Sequence, residues 1–203
     1  RPVTIVTDSA SDLPEDIARA HGIHVTPLSL TDGDETLRDR IDISADEFHE
    51  RMRDAPDTLP TTSQPTPADF METYARAAED GEEVLAILLS STLSGTYASG
   101  EAAAKRFHGA PIHVFDTLGI SLMQALFVMK ACEMAEMGIA PAEIVRELTR
   151  IRKHSGIHFT VDTFDRLLAS GRVGRGRAAL GSMLNVKPVL GLDEAGVVQP
   201  YGK

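Results

Sequence analysis

Short apolar runs alternate with helix-length segments through the first 155 residues, and a chain patterned this way has few ways to bury itself. Val3-Thr4-Ile5-Val6-Thr7 reads as a buried strand ending at Asp8, and Val84–Leu89 as a second continuous apolar strand. Ile112–Phe115 reads as another, ending at Asp116, and His24–Leu30 as one more, closed by the turn Asp32-Gly33-Asp34. Helix signals fall between them. Pro14 opens a helix near Glu15–Ala20, with Asp12 as its expected cap and Gly22 as its stop. Ser44 and Glu47 have capping-box spacing. Pro67 opens a helix running to about Asp80, and another follows Ser94 to Phe107. Strands without polar alternation, separated by helices, predict a mostly parallel sheet with helices on both faces.

Two further helices are expected at Leu118–Met137 and Pro141–Lys153. The first carries apolar residues on nearly every face, which predicts burial all round. It also sets a choice between plain core and the wall of a channel for a flexible apolar ligand, since Met adapts to such a wall. After Gly156 the pattern changes. A short strand at His158–Val161, helices near Phe164–Ala169 and Arg177–Leu184, and a strand at Lys187–Leu192 follow. Asp193-Glu194-Ala195-Gly196 then turns the chain into a hairpin with Val197-Val198. The expected organisation is an α/β ligand-binding domain over 1–156 and a partial second α+β domain over 157–203, too small for a core of its own.

In open α/β sheets, ligands gather at the carboxyl ends of strands. Asp8-Ser9, Ser90-Ser91 and Asp116-Thr117 fall at such ends, which predicts that they share one crevice. Two hydroxyl-rich segments stand out, Thr61-Thr62-Ser63-Gln64-Pro65, read as a loop that the fold must bring to this crevice, and Ser90-Ser91-Thr92-Leu93-Ser94-Gly95-Thr96, each just before a helix. Free N–H groups at a helix start, joined by hydroxyls, attract an anion. Neither segment holds a Lys or Arg, which favours a carboxylate over a phosphate. The plain alternative is that these hydroxyls are only N-caps.

Charge narrows the classes further. The chain has a formal net charge of −10, which argues against a general nucleic-acid binder. Residues 1–100 hold 20 acidic and 7 basic side chains, whereas residues 101–203 hold 10 and 13. Much of the basic charge lies between Arg146 and Lys187, as solvated helix faces or as a docking surface for a phosphate or an acidic partner. No apolar run is long enough to cross a bilayer, so stable membrane insertion is not expected. Cys132, the only cysteine, lies in an apolar stretch and cannot form an internal disulfide. Together with an N-terminus that has no secretory pattern, this sets the expectation of a cytoplasmic protein.

Enzyme readings remain open from the residues alone. Ser94 is a possible hydrolase nucleophile, but Thr92 stands where a G-x-S-x-G elbow needs Gly. Asp8 at a strand end suits Mg²⁺ in a phosphotransferase. Gly171-Arg172-Val173-Gly174-Arg175-Gly176 matches a nucleotide loop only loosely, since no Lys-Ser or Lys-Thr closes it. His154 and His158 are four apart, but Gly156 interrupts the segment, which argues against a helical metal pair, and the other histidines show no ligand spacing.

Several motifs in one order carry a family resemblance: Thr7–Pro14, Thr62-Ser63-Gln64-Pro65, Ser90–Tyr97, Asp116-Thr117, Gly171–Gly174 and Leu180–Leu190. The chain resembles the DegV family of bacterial fatty-acid-binding proteins over essentially its whole length. The resemblance implies a two-domain α/β protein that encloses one long-chain fatty acid and uses no cofactor. It implies that Thr62 and Ser94 hydrogen-bond the carboxylate, with Ser63, Gly95 and Thr96 supporting the headgroup pocket. It further implies a non-catalytic, acyl-carrying subunit that presents the carboxylate to a separate fatty acid kinase, giving an acyl phosphate. Arg172, in the family's Gly-Arg turn, is then a candidate contact for the phosphate or the partner. Family members usually continue well beyond a position like Lys203. Where the family often has Gly at two positions after Ser121, this chain has Met123 and Ala125, and side chains of that size would shorten or reroute an acyl channel.

Overall fold

The computed structural model describes residues 2–173, 187 and 189–202. The helix expected at Arg177–Leu184, Arg175, and most of the motif Leu180–Leu190 lie outside the described residues. At the centre is a four-stranded, all-parallel sheet of β1 (Val3–Asp8), β2 (His24–Thr26), β6 (Glu83–Leu88) and β7 (Ile112–Asp116), in the order β2-β1-β6-β7. Both faces are covered, which is why its strands lack polar alternation. Val3, Ile5, Leu85, Ile87 and Phe115 pack on α1 (Glu15–His21), α5 (Ser121–Glu136) and α6 (Pro141–Arg152). Val6, Val84, Ala86 and Leu88 pack on α3 (Pro67–Asp80) and α4 (Thr96–Arg106).

Two antiparallel sheets flank this core. One joins β3 (Ser29–Asp32), β4 (Glu35–Arg38) and β5 (Thr61–Ser63) in the order β4-β3-β5, with α2 (Ala45–Asp54) between β4 and β5 in the chain. The other joins β8 (His158–Phe159), β9 (Val189–Leu192) and β10 (Val198–Gly202) in the order β10-β9-β8, with α7 (Asp165–Ser170) after β8. The β9–β10 hairpin forms as expected, its Asp193 carboxylate accepting the Ala195 and Val197 N–H groups.

Five local expectations are corrected. Asp12 does not cap α1; it takes a left-handed conformation (φ 52°) closing a 3-10 turn at Ser9–Ser11, and Pro14 precedes the helix without a side-chain cap. His24–Leu30 is two strands in two sheets, because Pro27 has no N–H and the Leu28 N–H is taken by Ser9 Oγ at 3.0 Å. Thr61–Ser63 is a strand rather than a loop, registered so that Thr62 pairs with Leu30. Helix α5 begins at Ser121, three residues later than expected. The Asp116 carboxylate accepts the Leu118 N–H at 3.0 Å and Thr117 Oγ1 accepts the Gly119 N–H at 3.1 Å, so side chains compete with the first helical turn. Nor is that helix buried all round: Leu122 and Leu126, one turn apart, are 68% and 71% exposed, while Phe127 and Val128 are buried.

Candidate functional site

The carboxyl ends of the parallel strands are knitted together by a fully buried carboxylate. Asp8 Oδ2 accepts the Leu89 N–H at 2.8 Å and the Gln124 side-chain amide at 3.0 Å, while Oδ1 accepts the Ala10 N–H at 3.0 Å. Burial nonetheless dominates and raises the Asp8 pKa from 3.8 to about 6, with these hydrogen bonds opposing the shift. Asp116 Oδ1 accepts the Ser91 N–H at 3.2 Å. The three strand ends therefore meet, as their topology predicts, but Asp8, Asp116 and Thr117 bond to protein and do not line the cavity beside them.

That cavity has a volume of about 870 Å³ and opens between the strand ends, the β3–β5 sheet and the β8–β10 sheet. Its walls are largely apolar: Leu28 and Leu30 from one side, Leu89, Leu93 and Ile120 from the strand ends, and Phe159, Leu167 and Leu192 from the chain after Gly156. Polar groups are concentrated in a few segments. Thr62, Ser63 and Gln64 enter from β5 and the residue after it, Ser94 from the loop before α4, and Ser9 from the turn after β1.

The two hydroxyl-rich segments are brought together here although 32 positions separate Thr62 from Ser94. Gln64 packs against Gly95 so closely that a Cβ on Gly95 would run into the Gln64 side-chain amide. Ser94 Oγ lies 2.8 Å from Thr96 Oγ1 and accepts the Thr96 N–H at 3.2 Å. When Thr96 supplies the shared hydrogen, the Ser94 hydrogen is free to donate into the cavity. Thr96 is buried, and neither it nor Gly95 touches the cavity, so both act behind Ser94.

The second segment divides its hydroxyls. Thr92 Oγ1 donates to the Ala195 carbonyl at 2.8 Å and lies 2.8 Å from Ser90 Oγ. Ser90 and Thr92 thus dock the β9–β10 turn onto the parallel-sheet core, and only Ser94 faces the cavity from this segment together with Leu93. In the first segment the cap of α3 is Thr66, which forms a capping box with Asp69, so Thr62 and Ser63 are not caps.

Arg172 reaches the cavity from the turn after α7, donating to the Ser170 carbonyl at 2.7 Å and to the Leu93 carbonyl, beside Ser94, at 3.5 Å. Sequence reasoning missed Asp39, a half-buried cavity group whose pKa is raised by burial and opposed by a hydrogen bond to Ser9. Nothing in its local sequence marks it. Neither Met123 nor Ala125 lines this cavity: both belong to the core, and Met123 also borders a separate cavity. Among the described residues, no group of His, Cys, Asp and Glu could hold a metal ion, and no helix is long and apolar enough to cross a membrane.

Over residues 2–203 the sequence matches the family described as "Uncharacterised protein, DegV family". The chain belongs to the DegV family. A DegV domain-containing protein of Deinococcus radiodurans is 39% identical over 188 residues, covering 93% of this chain and 66% of the relative. This chain therefore spans about two thirds of the length of that protein. Its fold matches the solved structure of a fatty-acid-binding DegV family protein from Thermus thermophilus at a TM-score of 0.89, with 39% identity over 100% of this chain and 71% of the other. DegV, a fatty acid binding protein from Bacillus subtilis, matches at 0.88 with 33% identity, again over 100% and 71% of the two chains. A stearic acid-binding protein from Eubacterium ventriosum matches at 0.89 with 30% identity, over 98% and 70%. The family and its α/β fold, with helices flanking a parallel sheet, are as the motifs implied.

Proposed function

We propose that the cavity encloses one long-chain fatty acid, with its carboxylate hydrogen-bonded by Thr62 and Ser94 and its chain against the apolar walls. The observation that carries this reading is the meeting of hydroxyls from two distant segments at one largely apolar cavity. The fatty acid binding of several solved relatives supports it. The Thr62 hydroxyl has no protein hydrogen-bond partner among the described residues, and the Ser94 hydroxyl has a hydrogen to give when Thr96 supplies the one they share. Ser63 adds a hydroxyl beside Thr62, while Gly95 and Thr96 hold the geometry of Ser94. Burying each methylene contributes about 0.8 kcal/mol, so a long chain supplies roughly 10 kcal/mol before ordering costs. A hydrogen bond to a charged carboxylate adds about 1.5–3 kcal/mol. The tail therefore dominates affinity, and the hydroxyls dominate placement.

On this reading the protein is a non-catalytic cytoplasmic carrier. It offers the carboxylate to a partner kinase that converts it to an acyl phosphate, with Arg172 at the cavity's lip for the phosphate or the partner. A hydrolase built on Ser94 has less support, because among the described residues the side-chain partner of that hydroxyl is Thr96 and no histidine base. Asp8 has less still, because its oxygens serve Leu89, Gln124 and Ala10. The test is Ser94→Ala, assayed for lipid retention and, with the kinase, for acyl-phosphate yield. Yield should fall far more than retention; equal loss of both contradicts the division of labour between tail and hydroxyls.

A further inference from the structure

Leu192 also borders a second cavity, of about 620 Å³, whose walls carry opposite charge. On one side, at the end of α6, are Arg152, Lys153 and His154; on the other, from the β9–β10 turn, are Asp193 and Glu194. Leu118, Met123 and Leu192 give it an apolar lining. Arg152 is half-buried, with its guanidinium 5.1 Å from the centroid of the Phe115 ring and one N–H donated to the Asp116 carbonyl. A guanidinium has five N–H donors, and no carboxylate among the described residues pairs with this one. Lys153 and Glu194 likewise form no ion pair among the described residues, although they border the same space. One oxygen of Asp193 is occupied by the N–H groups of its own turn, and the other is left over. The Arg152 guanidinium thus keeps donors, and Asp193 an oxygen, with no protein partner among the described residues, and no ion pair joins the two walls. Leu118 adds a second oddity, since it holds a left-handed backbone (φ 48°) that a side chain of its kind rarely adopts.

We propose that this cavity binds a small aminoalkyl phosphate, with the phosphate on Arg152 and Lys153 and the ammonium on Asp193 and Glu194. Three neighbouring donor side chains exceed what a lone carboxylate needs and suit a phosphate. The acidic wall repels a plain anion, and the basic wall repels a plain cation. A short alkyl link lies against the apolar lining. The site stands apart from whatever fills the larger cavity and needs no assumption about it.

The probe is O-phosphoethanolamine, titrated into the chain and followed by backbone amide NMR, with inorganic phosphate and ethanolamine titrated separately. Saturable shifts centred on Leu118, Lys153 and Glu194 are expected at millimolar concentration, with each half-probe about tenfold weaker or more. Lys153→Gln and Glu194→Gln change exposed side chains, so amide shifts elsewhere should show an unaltered fold. Each should weaken phosphoethanolamine about tenfold, and Glu194→Gln should also abolish its advantage over phosphate. Shifts that do not saturate, that map elsewhere, or that are matched by phosphate alone would overturn the proposal.

Discussion

Asp8 shows how one residue can help shape a cavity without entering it. Its carboxylate ties β1 to Leu89 and to Gln124 of α5, and Ser9, the next residue, faces the cavity. Because burial raises its pKa to about 6 from an ordinary 3.8, the folded chain binds the proton more tightly than the unfolded chain. The linked stability is fully present below about pH 4 and is lost as pH rises through 6. One pKa unit corresponds to about 1.4 kcal/mol, so the loss attributable to this group is about 3 kcal/mol. Denaturant unfolding from pH 4 to pH 7 should show this contribution in the native chain and not in Asp8→Asn. Parallel stability profiles for the two proteins would refute it. Gly95 makes a separate test at the same scale. Gly95→Ala forces the Gln64 amide away from its place beside Thr62, and isothermal titration should show weaker fatty-acid binding with little change in melting temperature.

Among the elements, α5 separates what pattern can and cannot disclose. Its apolar residues encircle the helix, yet Leu122 and Leu126 lie on an exposed face. Leu122→Gln with Leu126→Gln should change unfolding free energy by no more than about 0.5 kcal/mol per site. Phe127→Ala, in the core beside Phe115, should cost about 3–5 kcal/mol in the same measurement. The parallel strands were legible because burial on both faces leaves a continuous apolar signature. Ser44 and Glu47 were legible because a capping box is local. The start of α5 was not, since Asp116 and Thr117 act through side-chain bonds that spacing does not encode. The register of β5 was not either: three polar residues carry no strand signal, and their pairing with Ser29–Thr31 is a tertiary fact.

Across the whole molecule, the cavity is a joint product of three sheets, and its integrity depends on how they dock. The two hydroxyl-rich segments stood out from the residues alone, but Thr62 and Ser94 were singled out within them only through the family motifs, since each segment's own context allowed mere helix caps. Asp39 had no local mark at all. The role of Ser90 and Thr92 in seating the β9–β10 turn became visible only with the fold. Gly196 sits in that seat with φ 79°, and a Cβ there would strike Ser90 and Thr92. Gly196→Ala should loosen the turn, exposing the amides of β9 to faster hydrogen exchange and lowering lipid retention, because Leu192 and Val198 form part of the cavity wall. Unchanged exchange in β9 would show that the seat is not needed. The most direct measurement of the central claim is native mass spectrometry of the purified chain before and after incubation with a long-chain fatty acid. One fatty acid per chain is predicted, with diminished occupancy in a Thr62→Val, Leu30→Glu variant that strips a hydroxyl and places a charge in the apolar wall; a chain that carries no fatty acid and takes none up would contradict the account.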